Sequence, residues 1–120
     1  MQPKLKNTFF ICVVFLLINS CKKESNNNFI VHIDPEFEPV VDSFVKAAAD
    51  RGYNISITNL IIQYDSALDS RYCAASNAIS STNNVQKRMY VNAKLTCWQN
   101  SRQLETLLFH EMGHCLLGRD

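Results

Sequence analysis

The stretch "SRQLETLLFHEMGHCLLG", Ser101 to Gly118, decides how this chain folds. Leu104, Leu107, Leu108, Met112, Cys115 and Leu116 recur three and four residues apart, which places them on one side of an α-helix. Asn100 or Ser101 can cap its start, and Gly118 can end it. A helix with one apolar face has to lie on something, and the segments before it supply a sheet. "VQKRMYVNA", Val85 to Ala93, alternates so that Met89 and Val91 share a side. "YNISITNLIIQYD", Tyr53 to Asp65, is rich in β-branched and aromatic residues and reads as one strand with a possible break at Thr58-Asn59.

Further upstream, "FIVHI", Phe29 to Ile33, is a short strand that Asp34-Pro35 ends. A second helix follows in "DPEFEPVVDSFVKAAADRG". Asp34 is placed to cap it, Pro35 suits the first helical position, and Glu36 and Glu38 sit where the helix dipole favours negative charge. Pro39 is tolerated within the first turn. Val40, Val41, Phe44, Val45 and Ala48 form the buried face, and Gly52 stops the run. The polar, small-residue stretch from Ser66 to Asn84 predicts a long loop, which in a compact domain is usually functional or stapled. Strands and helices in this order predict an α+β layered domain without internal repeats.

The chain has 120 residues, enough for one domain. A formal charge of +1 and an apolar fraction of 47% give no basis for a polyanion partner. No Lys/Arg cluster with interleaved aromatics occurs, which argues against nucleic acid. The N-terminus "MQPKLKNTFFICVVFLLINSC" has a basic start at Lys4 and Lys6, an apolar run from Phe9 to Ile18, and small or polar residues before Cys21. This is the layout of an export signal. The apolar run of ~10 residues falls short of the ~20 that span a bilayer. Residues 1–20 are therefore assigned as signal peptide, residues 21–28 as a cysteine followed by the polar tether "KKESNNN", and 29–120 as the domain. Without the leader, the two signs of charge nearly balance.

Export permits a disulfide. Cys12 and Cys21 belong to the leader, leaving Cys73, Cys97 and Cys115. Cys115 would sit ~21 Å along a helix that starts near Ser101, whereas Cys97 lies just before that start. Bridged Cα atoms must come within ~7 Å, which disfavours Cys97–Cys115. Cys73–Cys97 is the favoured pair, with Cys73–Cys115 its competitor.

The chemistry lies in "HEMGH". His110 and His114 are four apart on the predicted helix, so both imidazoles point to one side and can reach one zinc ion. Glu111 is offset by ~100°, beside the metal rather than on it. There a carboxylate can take a proton from a water that the metal has acidified and pass it to a leaving amine. Cys115 is rotated ~140° from His110 and reads as a core thiol. His32, alone on its strand, reads as a hydrogen-bonded histidine, and Arg119 as a surface or salt-bridge residue. Ser66 and Ser70 lack nucleophile-elbow glycines, and Asp65 and Asp69 read as solvated loop residues.

"FHEMGHCLLGRD", Phe109 to Asp120, resembles the active-site helix of the zincin metallopeptidases. "LLINSC" resembles the lipobox of bacterial lipoproteins, and with a "DPEF" helix the chain is similar to zinc metallopeptidase lipoproteins of Bacteroidetes type. The likeness covers most of the chain after the leader, though only His-Glu-x-x-His is sharp. It implies a zincin-like upper subdomain, with a short sheet and an active-site helix, that hydrolyses peptide bonds with Zn²⁺. His110 and His114 would be ligands, Glu111 the catalytic acid/base, and Gly113 the small residue before the second histidine. It also implies a diacylated Cys21 and, with Lys22 after it, an outer-membrane location; the partners are then a peptide or protein substrate and the membrane.

For the third ligand three sources stand open: Asp120, at the eleventh position of the metzincin pattern; a residue beyond Asp120 in a longer chain; and His32. The chain departs from that pattern at Leu117, where glycine is expected and Gly118 comes one residue late. A non-catalytic binding or structural lipoprotein that keeps a remnant of the zinc-site helix is the alternative. Zincins lay peptide along a sheet edge near this helix; which strand forms that edge is not legible from sequence.

Overall fold

The computed structural model describes residues 28–77, 83–94 and 96–119. The leader, Cys21, most of the tether and Asp120 lie outside them. The domain is α+β: two helices and a four-stranded mixed sheet, in the order β1 (His32–Ile33), α1 (Glu38–Ala49), β2 (Leu60–Asp65), β3 (Ala74–Ser76), β4 (Lys87–Asn92) and α2 (Ser101–Leu117). The sheet order is β1-β2-β4-β3; β1, β2 and β4 run parallel, and β3 pairs antiparallel with β4 at the edge. No helix among the described residues is long and apolar enough to cross a membrane.

The register places Ile62 beside Met89 and Tyr64 beside Val91. Leu60, Ile62, Met89 and Val91 thus share one face, and all four are fully buried. The core joins them to Val41 and Phe44 of α1 and to Leu108, Met112, Cys115 and Leu116 of α2. Phe44 and Phe109 meet edge to face at 5.2 Å between ring centroids, which locks the two helices together. Leu104 and Leu107, expected on the buried face of α2, are only half-buried.

Several boundaries move from their sequence positions. α1 begins at Glu38 rather than at Pro35, and no side chain caps it. Asp34 is occupied elsewhere: its carboxylate accepts from the Tyr64 backbone N–H at 3.1 Å and faces His32 Nε2 at 3.2 Å. Its own N–H donates to the Ile62 carbonyl. Asp34 therefore fastens the end of β1 to β2, which precludes helix capping. The strand expected from Tyr53 starts only at Leu60, because the pairing with β1 begins at Ile61 and the pairing with β4 at Leu60. Residues 53–59 have no strand to ladder with, yet Ile55 and Ile57 still pack on the core.

The expected loop from Ser66 to Asn84 holds a strand, β3. Its residues are small and show no alternation, so only the pairing of Ala74 with Val91 and of Ser76 with Met89 reveals it. The favoured disulfide is present: Cys73 and Cys97 are joined with Cα atoms 5.3 Å apart, and Cys115 is a buried free thiol. The bridge ties the start of β3 to the turn before α2. Burial pushes the Cys115 thiol up to about 11, with the Lys87 ammonium opposing and Glu111 reinforcing the shift.

Asn100 caps α2. Its side chain accepts from Gln103 N–H at 3.0 Å, and the Gln103 side chain accepts in return from Gln99 N–H at 2.7 Å. Asn100→Ala should lower stability by about 1 kcal/mol in denaturant unfolding. Opening the loop of 24 residues between Cys73 and Cys97 in a Cys73→Ala/Cys97→Ala variant should cost about 3 kcal/mol. Non-reducing peptide mapping should recover a linked Cys73–Cys97 peptide and an unlinked Cys115.

Candidate metal centre

His110 and His114 occupy the last two turns of α2, on the flank that faces away from the sheet. His110 is exposed and His114 half-buried. They stand beside the apolar face rather than within it, since that face is centred on Leu108, Met112 and Cys115. The rings meet edge to face with centroids 4.5 Å apart, and the two Nε2 atoms converge to 3.0 Å.

The end of the helix fixes which nitrogen of His114 is free. Gly118 adopts the left-handed conformation, φ 62° and ψ 36°, which lets the chain fold back over the last turn. Gly118 N–H then donates to the His114 carbonyl, and Arg119 N–H to the Gly113 carbonyl, both at 3.1 Å. The same turn brings the Arg119 carbonyl against His114 Nδ1. A carbonyl can only accept, so Nδ1 carries the proton and Nε2 presents a lone pair toward His110. A backbone carbonyl on the far nitrogen is the arrangement that orients an imidazole as a metal ligand.

Arg119 is itself anchored. Its guanidinium lies 5.6 Å from the Tyr53 ring centroid and donates to the Tyr53 hydroxyl at 3.2 Å. The surface role read for Arg119 from the sequence is thus incomplete: its carbonyl positions His114, and Tyr53 holds it in place. Gly118 was the available signal, because a left-handed cap folds the next residue back onto the helix.

Glu111 is half-buried, on the side of α2 between the histidines and Cys115. Gly113 is not required by packing, since a Cβ there would meet nothing within 4 Å. The flank is open at His110, which is exposed, and partly covered at His114. An apolar cavity of about 210 Å³ lies on the adjoining side of α2, between Phe44, Ala48, Phe109 and Leu117, with Tyr53 and Arg119 at its rim.

Two imidazoles with converged Nε2 atoms and an oriented tautomer fit the nitrogen donors of a zinc site. Among the described residues, no third His, Cys, Asp or Glu joins them. His32 lies on β1, the sheet edge opposite β3, where it bonds Asp34. Asp65 accepts from Ala67 N–H at 2.7 Å. Asp69 is held below the usual carboxylate range, chiefly by its side-chain hydrogen bond with Arg71. Asp120 lies outside the described residues.

Long-range ¹H–¹⁵N NMR should find metal-free His114 as the Nδ1–H tautomer. Tyr53→Ala, which releases Arg119, should mix the tautomers and weaken Zn²⁺ binding roughly tenfold, with no change in helix content by circular dichroism.

No protein-family model matches this chain, and no curated protein and no solved structure shows significant similarity to it.

Proposed function

We propose that this chain is a zinc-dependent peptide hydrolase of the zincin type, held at the outer membrane through a lipidated Cys21. The observation that carries the reading is the pair of converged Nε2 atoms, with His114 oriented by the Arg119 carbonyl. Two histidines packed for structure alone would need no such convergence on an open flank.

His110 and His114 would hold the ion, and Asp120 or a residue beyond it would complete the three protein ligands of a catalytic site. When bound, zinc supplies Lewis-acid polarisation of a carbonyl and lowers the pKa of water. The remaining work falls to the chain. The Arg119 carbonyl keeps the Nδ1 proton of His114 in place. The Glu111 carboxylate accepts a proton from the attacking water and delivers it to the departing amine nitrogen.

An extended peptide has a sheet edge available. β3, Ala74–Ser76, is the strand at the margin of the sheet, and α2 packs beside it. Its outer backbone groups can pair with a substrate strand. β4, which directly precedes α2 in sequence, is interior to the sheet and cannot serve.

The test is zinc stoichiometry by elemental analysis, coupled to peptide cleavage. We expect one zinc per chain, lost in His114→Ala and kept in Glu111→Gln, with cleavage in Glu111→Gln reduced at least ~100-fold. Zinc binding without cleavage would favour the alternative, a non-catalytic binding or structural lipoprotein. No zinc binding at all would remove the hydrolase reading for the chain as it stands.

A further inference from the structure

The parallel strands give the domain two distinct ends, and exposed apolar side chains gather at one of them. β1, β2 and β4 start together at this end. α2 finishes there too, since Leu116 and Leu117 line a cavity with Lys87, the first residue of β4. The large apolar side chains left exposed among the described residues are Ile30, Val31, Tyr53, Tyr72 and Val85. Ile30 and Val31 lead into β1, Val85 leads into β4, and Tyr53 lines that same cavity. Tyr72 sits at the other end, where its carbonyl accepts from the Asn92 side chain at 2.9 Å.

The grouping is held in place by one side chain. Gln86 reaches across the start of β2: its side-chain carbonyl accepts from Ile30 N–H at 2.8 Å, and its amide donates to the backbone carbonyls of Ile30 at 3.0 Å and Asn59 at 2.7 Å. The lead-in to β1 is thereby fixed against the lead-in to β4. Ile30, Val31 and Val85 stay 56%, 50% and 40% exposed on this platform. Isolated exposed aliphatics are ordinary, but a fixed group of them at one end marks a contact surface.

The tether identifies what that surface meets. The chain enters the domain at this end, and residues 22–28, seven in all, join it to Cys21. Seven residues span at most about 25 Å even when fully extended. Lipidation of Cys21, the reading on which this inference rests, would keep the patch within reach of lipid headgroups at all times. A few aliphatic side chains bind a bilayer weakly from solution, but a tether raises their local concentration until weak contacts set an orientation. Charge agrees with an anionic surface. Arg51 and Arg119 are exposed at the same end, Asp50 there is paired with Lys46, and Lys22 and Lys23 follow the anchor.

We propose that Ile30, Val31 and Val85 dock on the lipid surface to which Cys21 anchors the chain, and so hold the domain end-on with the last turn of α2 toward the bilayer. The proposed metal centre, in the last two turns of α2, then works on polypeptide close to the membrane surface.

The test uses the full chain, made with its leader and placed in nanodiscs of phosphatidylethanolamine and phosphatidylglycerol. Mass spectrometry reads the state of Cys21, and NMR reads broadening by a nitroxide-labelled lipid in the disc. The amides of Ile30, Val31 and Val85 are expected to broaden, while those of Ala67 and Arg71 at the other end keep their signals. Ile30→Asn/Val85→Asn replaces exposed side chains, so its helix content by circular dichroism should match the parent. Its broadening should fall roughly threefold. Equal broadening at both ends, or the parent pattern in the variant, would overturn the proposal. So would concentration-dependent shifts of Ile30 and Val85 without lipid, which would assign the surface to a second copy of the chain. An unmodified Cys21 would remove the anchoring reading and the proposal together, whereas a lipidated Cys21 with uniform broadening removes the proposal alone. Neither result bears on zinc binding or cleavage.

Discussion

The burial of one face of α2 against β3 and β4 is the constraint on which the rest of the structure depends. Leu108, Met112 and Cys115 are fully buried opposite Met89 and Val91. Once that face is sealed, the rotation of every other α2 residue is set by 3.6 residues per turn. His110 and His114 are carried to the open flank, Glu111 to the boundary between flank and core, and Leu116 to the wall of the Lys87 cavity. No separate device is needed to aim them.

What has to be fixed separately is the position of α2 along its axis, and both ends are secured. Asn100 and Gln103 close the start by reciprocal side-chain bonds, and the Cys73–Cys97 bridge ties the preceding turn to β3. Tyr64 stacks on Trp98 at 6.4 Å between ring centroids, which packs that same turn onto β2. Burial and the nearby Glu36 push the Tyr64 hydroxyl up to about 12. At the far end Gly118 turns the chain, and Arg119 docks on Tyr53. A domain this small has a thin stability margin, and ties at both ends of one helix use it economically.

Much of this was legible in the sequence, for a reason that differs by element. α2, its cap at Asn100 and its stop at Gly118 are local features, written in spacing and capping chemistry. The buried side of β4 follows from alternation at Met89 and Val91, while the length of a helix disfavoured Cys97–Cys115 and left Cys73–Cys97 favoured over Cys73–Cys115. What was not legible depends on partners distant in the chain. β3 is a strand only because β4 lies beside it. Asp34 leaves its capping position because Tyr64 offers a backbone N–H, and the strand ahead of Leu60 is cut short for want of neighbours. The histidine spacing was visible, but the carbonyl that selects the His114 tautomer comes from Arg119, and its anchor Tyr53 lies 66 residues earlier in the chain.

The end of α2 also concentrates positive charge, and the helix itself supplies the reason. Arg119 follows the cap and Lys87 lies buried near Cys115 of the last turns. Unsatisfied carbonyls give a helix C-terminus roughly half a negative charge, which stabilises cations placed there. Gly118 and Arg119 satisfy the carbonyls of His114 and Gly113, leaving those of the final turn to act electrostatically. A divalent cation at the histidine pair would meet a favourable field there. A helix dipole contributes less than a full counter-charge, so the field assists such an ion but cannot replace its ligands.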